Sequence, residues 1–201
     1  MEITNQEDLR KLYKWPEGRA SKKVIDELDK HCKNFISKSP FLVMSTADKD
    51  GRMDASPRGG VPGFVHILNN TTLIIPDSKG NNRVDSLVNI VERNRIGMLF
   101  LIPGIEETLR INGSAQISVD KDFIDLFPNE KNSPISCVVI TIEEAFLHCA
   151  KALMRSKLWK DDFIVNKKDF PSMGKMLNDQ LGTNNPIETY EEMTARYKPD
   201  L

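Results

Sequence analysis

The chain has little cysteine: Cys32, Cys137 and Cys149 are scattered singly over 201 residues, with no C-x-x-C pair. That argues against a disulfide framework and a cysteine-held metal, and suits reduced thiols packed as small hydrophobes. It also lacks an excess of charge of either sign, since 28 Lys plus Arg stand against 29 Asp plus Glu for a formal net charge of −1. A nucleic-acid partner held by an overall positive field is therefore not expected. No apolar run approaches the roughly 18 residues that span a bilayer. The charged opening "MEITNQEDLRKLYKWPEGRASKK" has no apolar signal core, so a cytoplasmic location without a membrane partner is expected. In that compartment the triplets "NNT" and "NGS" carry no glycan. Catalytic fingerprints are missing as well. "GNNRVDSL" is not a P-loop, no G-x-G-x-x-G follows a strand, and neither H-E-x-x-H nor G-x-S-x-G occurs. His31, His66 and His148 stand apart and make neither a triad nor a metal set.

What is present is patterned. Ile25, Leu28, Cys32, Phe35 and Ile36 recur at helical spacing from Lys22 onward. Ser21 is placed to cap that segment and Pro40 to stop it, which predicts an amphipathic helix. "FLVMSTA" reads as a strand, "DKDG" as a turn and "RMDAS" as the antiparallel return. "FVHIL" and "TTLIIP", separated by Asn69 and Asn70, predict a second hairpin, and the four strands together a meander. Val84, Leu87, Val88 and Val91 mark one face of a short helix ending near Asn94. "IGMLFLI", "TLRINGSAQISV" and "SCVVITI" predict further strands, while the continuation "EEAFLHCAKALMRSKLW" fits extended strand or helix. Helices are expected near 173–181 and 187–197, and "NEKNSP" and the tail after Asn184 read as surface connections. Short strands joined by hairpins predict a mainly β fold, an antiparallel barrel or sandwich with flanking helices, in one domain over 1–201.

"SPRGGVPGF", residues 56–64, is the unusual stretch. It fits a wide hairpin loop with one solvated arginine, and equally a main chain that a ligand approaches closely. Basic residues recur beside turn-forming or small residues: Arg58, Arg83, Arg110, and Lys151 with Arg155. A guanidinium offers paired planar donors to phosphate oxygens, and Ser56, Asn82, Ser86 and Ser156 can add neutral donors. Arg83 falls in the first turn of its helix, where free N–H groups favour an anion. Taken singly, each reads as a solvated surface charge.

The order of these pieces resembles the pyridoxamine 5′-phosphate oxidase-like family of FMN-binding split barrels, from about Phe35 to Trp159. A helix leads into "FLVMSTAD", then "DKDG", then a strand ending in "ASPRGG". "LIIPDSKGNNRVDSLVNIVERN" is similar to the family's phosphate-binding turn and helix, and "LRINGSAQI" to its Arg-x-x-Gly strand. "HCAKALMRSKLW" resembles the closing segment of a subgroup known only as candidate FMN-dependent enzymes. The resemblance implies a six-stranded antiparallel split β-barrel over about 35–159 and a helical C-terminal segment over about 160–201. It also implies a homodimer with FMN at the subunit interface and a small-molecule substrate. Ser56, Arg58, Asn82, Arg83, Ser86, Arg110, Lys151, Arg155 and Ser156 would then surround the phosphate and polar edge of the flavin. Gly59, with Gly60, would let the main chain pass close, and Trp159 would cover the ring. An FMN-dependent oxidoreductase is the activity implied. A non-catalytic flavin- or haem-binding module of the same fold is the alternative, and an interaction domain without cofactor a third. Departures from the true oxidases leave the substrate open: Asn82 and Arg83 stand where those enzymes carry Arg-Lys, and the chain ends in "IETYEEMTARYKPDL" instead of an Arg-Leu-x-Pro strand.

Overall fold

The computed structural model describes residues 2–128 and 133–200; residues 129–132, the start of the expected connection "NEKNSP", lie outside them. Two short helices, α1 (Gln6–Tyr13) and α2 (Arg19–Lys22), precede α3 (Lys30–Lys38). α3 begins later than its apolar spacing predicts, because Asp29 and not Ser21 is the N-cap. The Asp29 carboxylate accepts from the backbone N–H groups of His31 at 2.9 Å and Cys32 at 2.7 Å. Ile25 is instead bridged to Ala145 of the sheet, so that its apolar side chain is covered by strand pairing and not by a helix face.

β1 (Phe41–Ala47) and β2 (Met53–Gly59) form the expected hairpin. Asp48 closes its turn by accepting from the N–H groups of Asp50 and Arg52, both at 2.8 Å. β2 runs further than "RMDAS": Ser56 and Arg58 pair with Met44 and Leu42, so "SPRG" is strand and not loop. β3 (His66–Ile67) and β4 (Thr72–Asp77) make the second hairpin, followed by α4 (Asp85–Arg93), β5 (Arg95–Leu101) and β6 (Thr108–Ser118). After α5 (Lys121–Ile124), β7 (Ser136–His148) continues through "EEAFLH", and only then does the chain turn into α6 (Lys151–Ser156). α7 (Met173–Leu181) and α8 (Tyr190–Tyr197) lie close to the two expected C-terminal helices. Of residues 160–199 only Asn178 is buried.

The strands pair antiparallel in the order β2-β1-β5-β6-β7-β4-β3. The sheet has seven strands, as many as the strand segments read from the sequence, where the resemblance implies six; "FVHIL" contributes only the two-residue β3. The first four strands are not a meander. α4 carries the chain from β4 to β5 beside β1, and β5, β6 and β7 stand between the two hairpins. Arg58 of β2 nevertheless forms an ion pair with Asp77 of β4, so the sheet curls until strands from its two ends meet. The result is a split-barrel-like, mostly antiparallel sheet with flanking helices. Leu42, Met44, Leu73, Ile75, Phe100, Leu109, Ile111 and Ile140 fill its interior, and Leu28, Cys32 and Ile36 close one end.

Two local features set the site. β6 and β7 shift register between Asn112 and Gly113, leaving Glu143 as the extra residue of a bulge. A Cβ at Gly113 would overlap the Thr141 carbonyl oxygen, so only glycine allows this approach. The second feature reverses an expectation. Val84, Val88 and Val91 of the α4 segment are exposed, while Ser86, Asn89 and Ile90 are buried. The helix is docked partly by polar contacts: Asn89 Nδ2 donates to Thr46 Oγ1 at 2.9 Å, and Ser86 Oγ donates to the Asp54 carboxylate. Asn94 ends it in the left-handed conformation, as expected.

Candidate functional site

A cleft of about 530 Å³ opens between β2, the turn after β4 and the start of α4. The period of two along β2 turns Asp54, Ser56 and Arg58 to the cleft side and leaves Met53, Ala55 and Pro57 exposed. After β4 the Asn81 side chain accepts from the Arg83 N–H at 3.0 Å, and Asn82 adopts a left-handed φ of 62°, bending the chain into α4. Val84 supplies no side-chain cap, so the first-turn N–H groups of α4 are left without one. Ser56, Arg58, Asn82, Arg83 and Ser86, named in the sequence as phosphate donors, thus line one cleft.

Sequence reasoning missed the carboxylates among them. Asp77 pairs with Arg58, Asp85 accepts from Arg83 Nε at 2.6 Å, and Asp54 accepts from Ser86. Asp54 was legible in principle, since it shares the strand face of Ser56 and Arg58. Asp77 was not, because its meeting with Arg58 depends on the curl of the sheet. These pairings leave donors over. A guanidinium carries five N–H groups, Arg58 Nε is buried and unpartnered, and the Arg83 side chain is largely exposed and able to turn. Together with the uncapped helix start, this donor set fits a phosphate group.

A second cleft, of about 970 Å³, lies on the outer face of the sheet. Ser45, Gly97 and Asn112 form its floor, and Ala152 and Leu153 of α6 one wall. Arg110 lies here and not with Arg58 and Arg83, because β6 presents it on the face opposite the barrel interior. Near it are His148, which the sequence reading had set aside with the other histidines, and Lys23, which it did not name as a site residue. Burial, then Lys23 and Arg110, hold the His148 imidazole below its ordinary pKa. The remaining residues are not gathered. Lys151, Arg155 and Ser156 are exposed and line neither cleft, and Ser156 Oγ donates to Leu153 O of its own helix at 3.1 Å. Trp159 Nε1 donates to Ile105 O at 2.8 Å, tying the chain after α6 to the turn between β5 and β6. Gly59 also lines neither cleft, and a Cβ at Gly60 would stand 2.7 Å from Phe64 Cβ, so Gly60 makes room for a neighbouring side chain.

The family model described as pyridoxamine 5′-phosphate oxidase matches residues 28–149. No curated protein matches the chain. Among solved structures it is similar to HupZ of Group A Streptococcus, with a TM-score of 0.51 and 17% identity over 60% of this chain and 93% of that one. It is also similar to a candidate pyridoxamine 5′-phosphate oxidase of Lactobacillus delbrueckii, with a TM-score of 0.50 and 19% identity over 62% of this chain and 98% of that one. At these identities the likeness is one of fold.

Proposed function

Because the chain belongs to the pyridoxamine 5′-phosphate oxidase family, which its residues 28–149 match, we propose that it is an FMN-binding flavoprotein and an FMN-dependent oxidoreductase acting on a small molecule. The observation that carries this reading is the convergence of Ser56, Arg58, Asn82, Arg83 and Ser86, from two separate segments, on one cleft beside an uncapped helix start. Arg58 and Arg83 would hold the FMN phosphate, with Ser56, Asn82 and Ser86 as neutral donors around it. The flavin, when bound, supplies hydride transfer, and the protein's part is to bind and orient it. Val84, Val88 and Val91 leave an exposed apolar face on the α4 segment, of which Val84 lines the same cleft, and this supports a homodimer whose second copy covers the cofactor.

The test is FMN binding by the purified chain, followed by absorbance and by quenching of flavin fluorescence. Arg83→Ala should weaken FMN about ten- to a hundredfold, the scale of a lost hydrogen bond to a charged group. Riboflavin, which lacks the phosphate, should bind the variant and the parent chain alike. Equal losses for FMN and riboflavin would refute the phosphate assignment.

A further inference from the structure

Arg110 and His148 line the larger cleft, and Lys23, which does not line it, stands near His148. Lys23 Nζ stands 5.0 Å from the centroid of the Phe146 ring, and the Arg110 guanidinium carbon 5.2 Å from the same centroid. Neither makes an ion pair among the described residues. Lys23 donates to Leu147 O at 3.1 Å, a neutral acceptor. His148 lies two residues along β7 from Phe146, with Nδ1 buried and unpartnered. Strand pairing assembles the set, since Arg110 is opposite Phe146 and Thr108 opposite His148.

The contrast with the surrounding cations is chemical. Arg95, in the same cleft, is paired with Glu143, while Arg58 and Arg83 in the smaller cleft have Asp77 and Asp85. Two cations on one aromatic ring repel each other, and cation–π attraction offsets this only in part. A buried imidazole nitrogen without a partner adds an unsatisfied group at the same place. An anion seated among the three would relieve the repulsion and favour the charged form of His148. The rest of the cleft is lined by apolar groups, Leu99, Ala152 and Leu153 among them, and by Glu143 and Glu144, which are engaged by Arg95 and Asn112.

We propose that this end of the larger cleft is an anion-recognition site, in which Lys23, Arg110 and His148 hold the carboxylate or phosphate of a small molecule whose apolar body lies along Leu99 and Leu153. The site is separate from the cofactor cleft and does not rest on the FMN reading. The sequence had placed Arg110 among the cofactor donors. Its position instead puts it in the larger cleft, apart from Arg58 and Arg83.

Benzoate, phenyl phosphate and the neutral benzyl alcohol are the probes, titrated calorimetrically into the full chain without FMN while the His148 ring is followed by NMR. An anion should bind where benzyl alcohol does not, and the tighter of benzoate and phenyl phosphate identifies the head group. Arg110→Gln and Lys23→Gln should each weaken that binding by about tenfold. Saturation should raise the His148 pKa, because a nearby negative charge favours the imidazolium, a response that a packing role for these residues does not produce. Lys151→Gln, at an exposed residue that lines neither cleft, should leave the anion's affinity unchanged. The proposal is overturned by equal binding of benzyl alcohol, by a His148 titration that ignores the anions, or by full affinity in both glutamine variants. Loss of the His148 response to the anions once FMN is bound overturns it too, since the cofactor would then occupy this end. A chain that takes these anions but no FMN refutes the cofactor reading and leaves this site standing.

Discussion

The ion pair between Arg58 and Asp77 joins the two ends of the strand ladder beside the cofactor cleft, and it can be taken apart one partner at a time. The side chains retain 20% and 15% of their exposure. Arg58→Met keeps most of the aliphatic packing but leaves the Asp77 carboxylate without its cation. Leaving one member of a buried pair alone costs about 3 to 5 kcal/mol, and the water that reaches this pair reduces the expected loss to about 1 to 3 kcal/mol. Asp77→Ala should cost a similar amount, because it strands a guanidinium whose Nε already lacks a partner. The double variant removes both charges, and should fall short of the sum of the singles by about 1 to 2 kcal/mol. Urea denaturation of the four proteins at neutral pH measures this coupling, which should survive high salt better than a surface pair would. FMN affinity should follow a different order: it falls in Arg58→Met and holds or rises in Asp77→Ala, where Arg58 keeps all its donors. Single effects that add to within about 0.3 kcal/mol would refute the claim that this pair ties the curled sheet together.

Three further outcomes follow from local geometry. Gly113→Ala should destabilise by about 3 kcal/mol or more, because its methyl meets the Thr141 carbonyl oxygen; an unchanged urea midpoint would show that the bulge can relax. Asp29→Ala should cost about 1 kcal/mol as a lost N-cap. The Asp29 carboxyl is held below its usual value, chiefly by the Cys32 N–H. Its contribution is therefore complete above the unfolded-state pKa near 3.9 and disappears as pH falls through the lower folded value. The gap between parent and variant should be constant from about pH 5 to 7 and close below about pH 4, and a gap undiminished at pH 2 would contradict the cap. Burial pushes the Cys32 thiol up to about 11 and raises that of Cys137, whereas Cys149 is exposed. Iodoacetamide at mildly alkaline pH should accordingly modify Cys149 in the native chain and all three cysteines after denaturation, as mass spectrometry would show; native labelling of Cys32 would count against the packing described.

Much of the fold was legible because its signals are local. The apolar run of β1, the Asp48 turn, the start of β7 and the Asn94 stop each depend on a few neighbouring residues, and all stand where the pattern puts them. The ordered motifs also led to the five residues that share the smaller cleft. Two local signals misled for the same physical reason. Ile25 and Leu28 carry helical spacing but precede the Asp29 cap, and Val84, Val88 and Val91 form an apolar stripe that faces outward. Periodicity states which residues are apolar, not what lies opposite them. α4 is oriented by hydrogen bonds from Asn89 and Ser86 to β1 and β2, more than thirty residues earlier in the chain, and no window of sequence contains both partners.

Residue order alone thus determined the antiparallel, mainly β character, the hairpins, and the donors beside the helix start. Only the tertiary structure decided that β5 inserts next to β1, that Asp77 reaches Arg58, and that Arg110 parts company with Arg83 to join Lys23 and His148. Backbone pattern and turn chemistry act between near neighbours, whereas the charge and burial of a site are set by groups that chain folding brings together from distant positions.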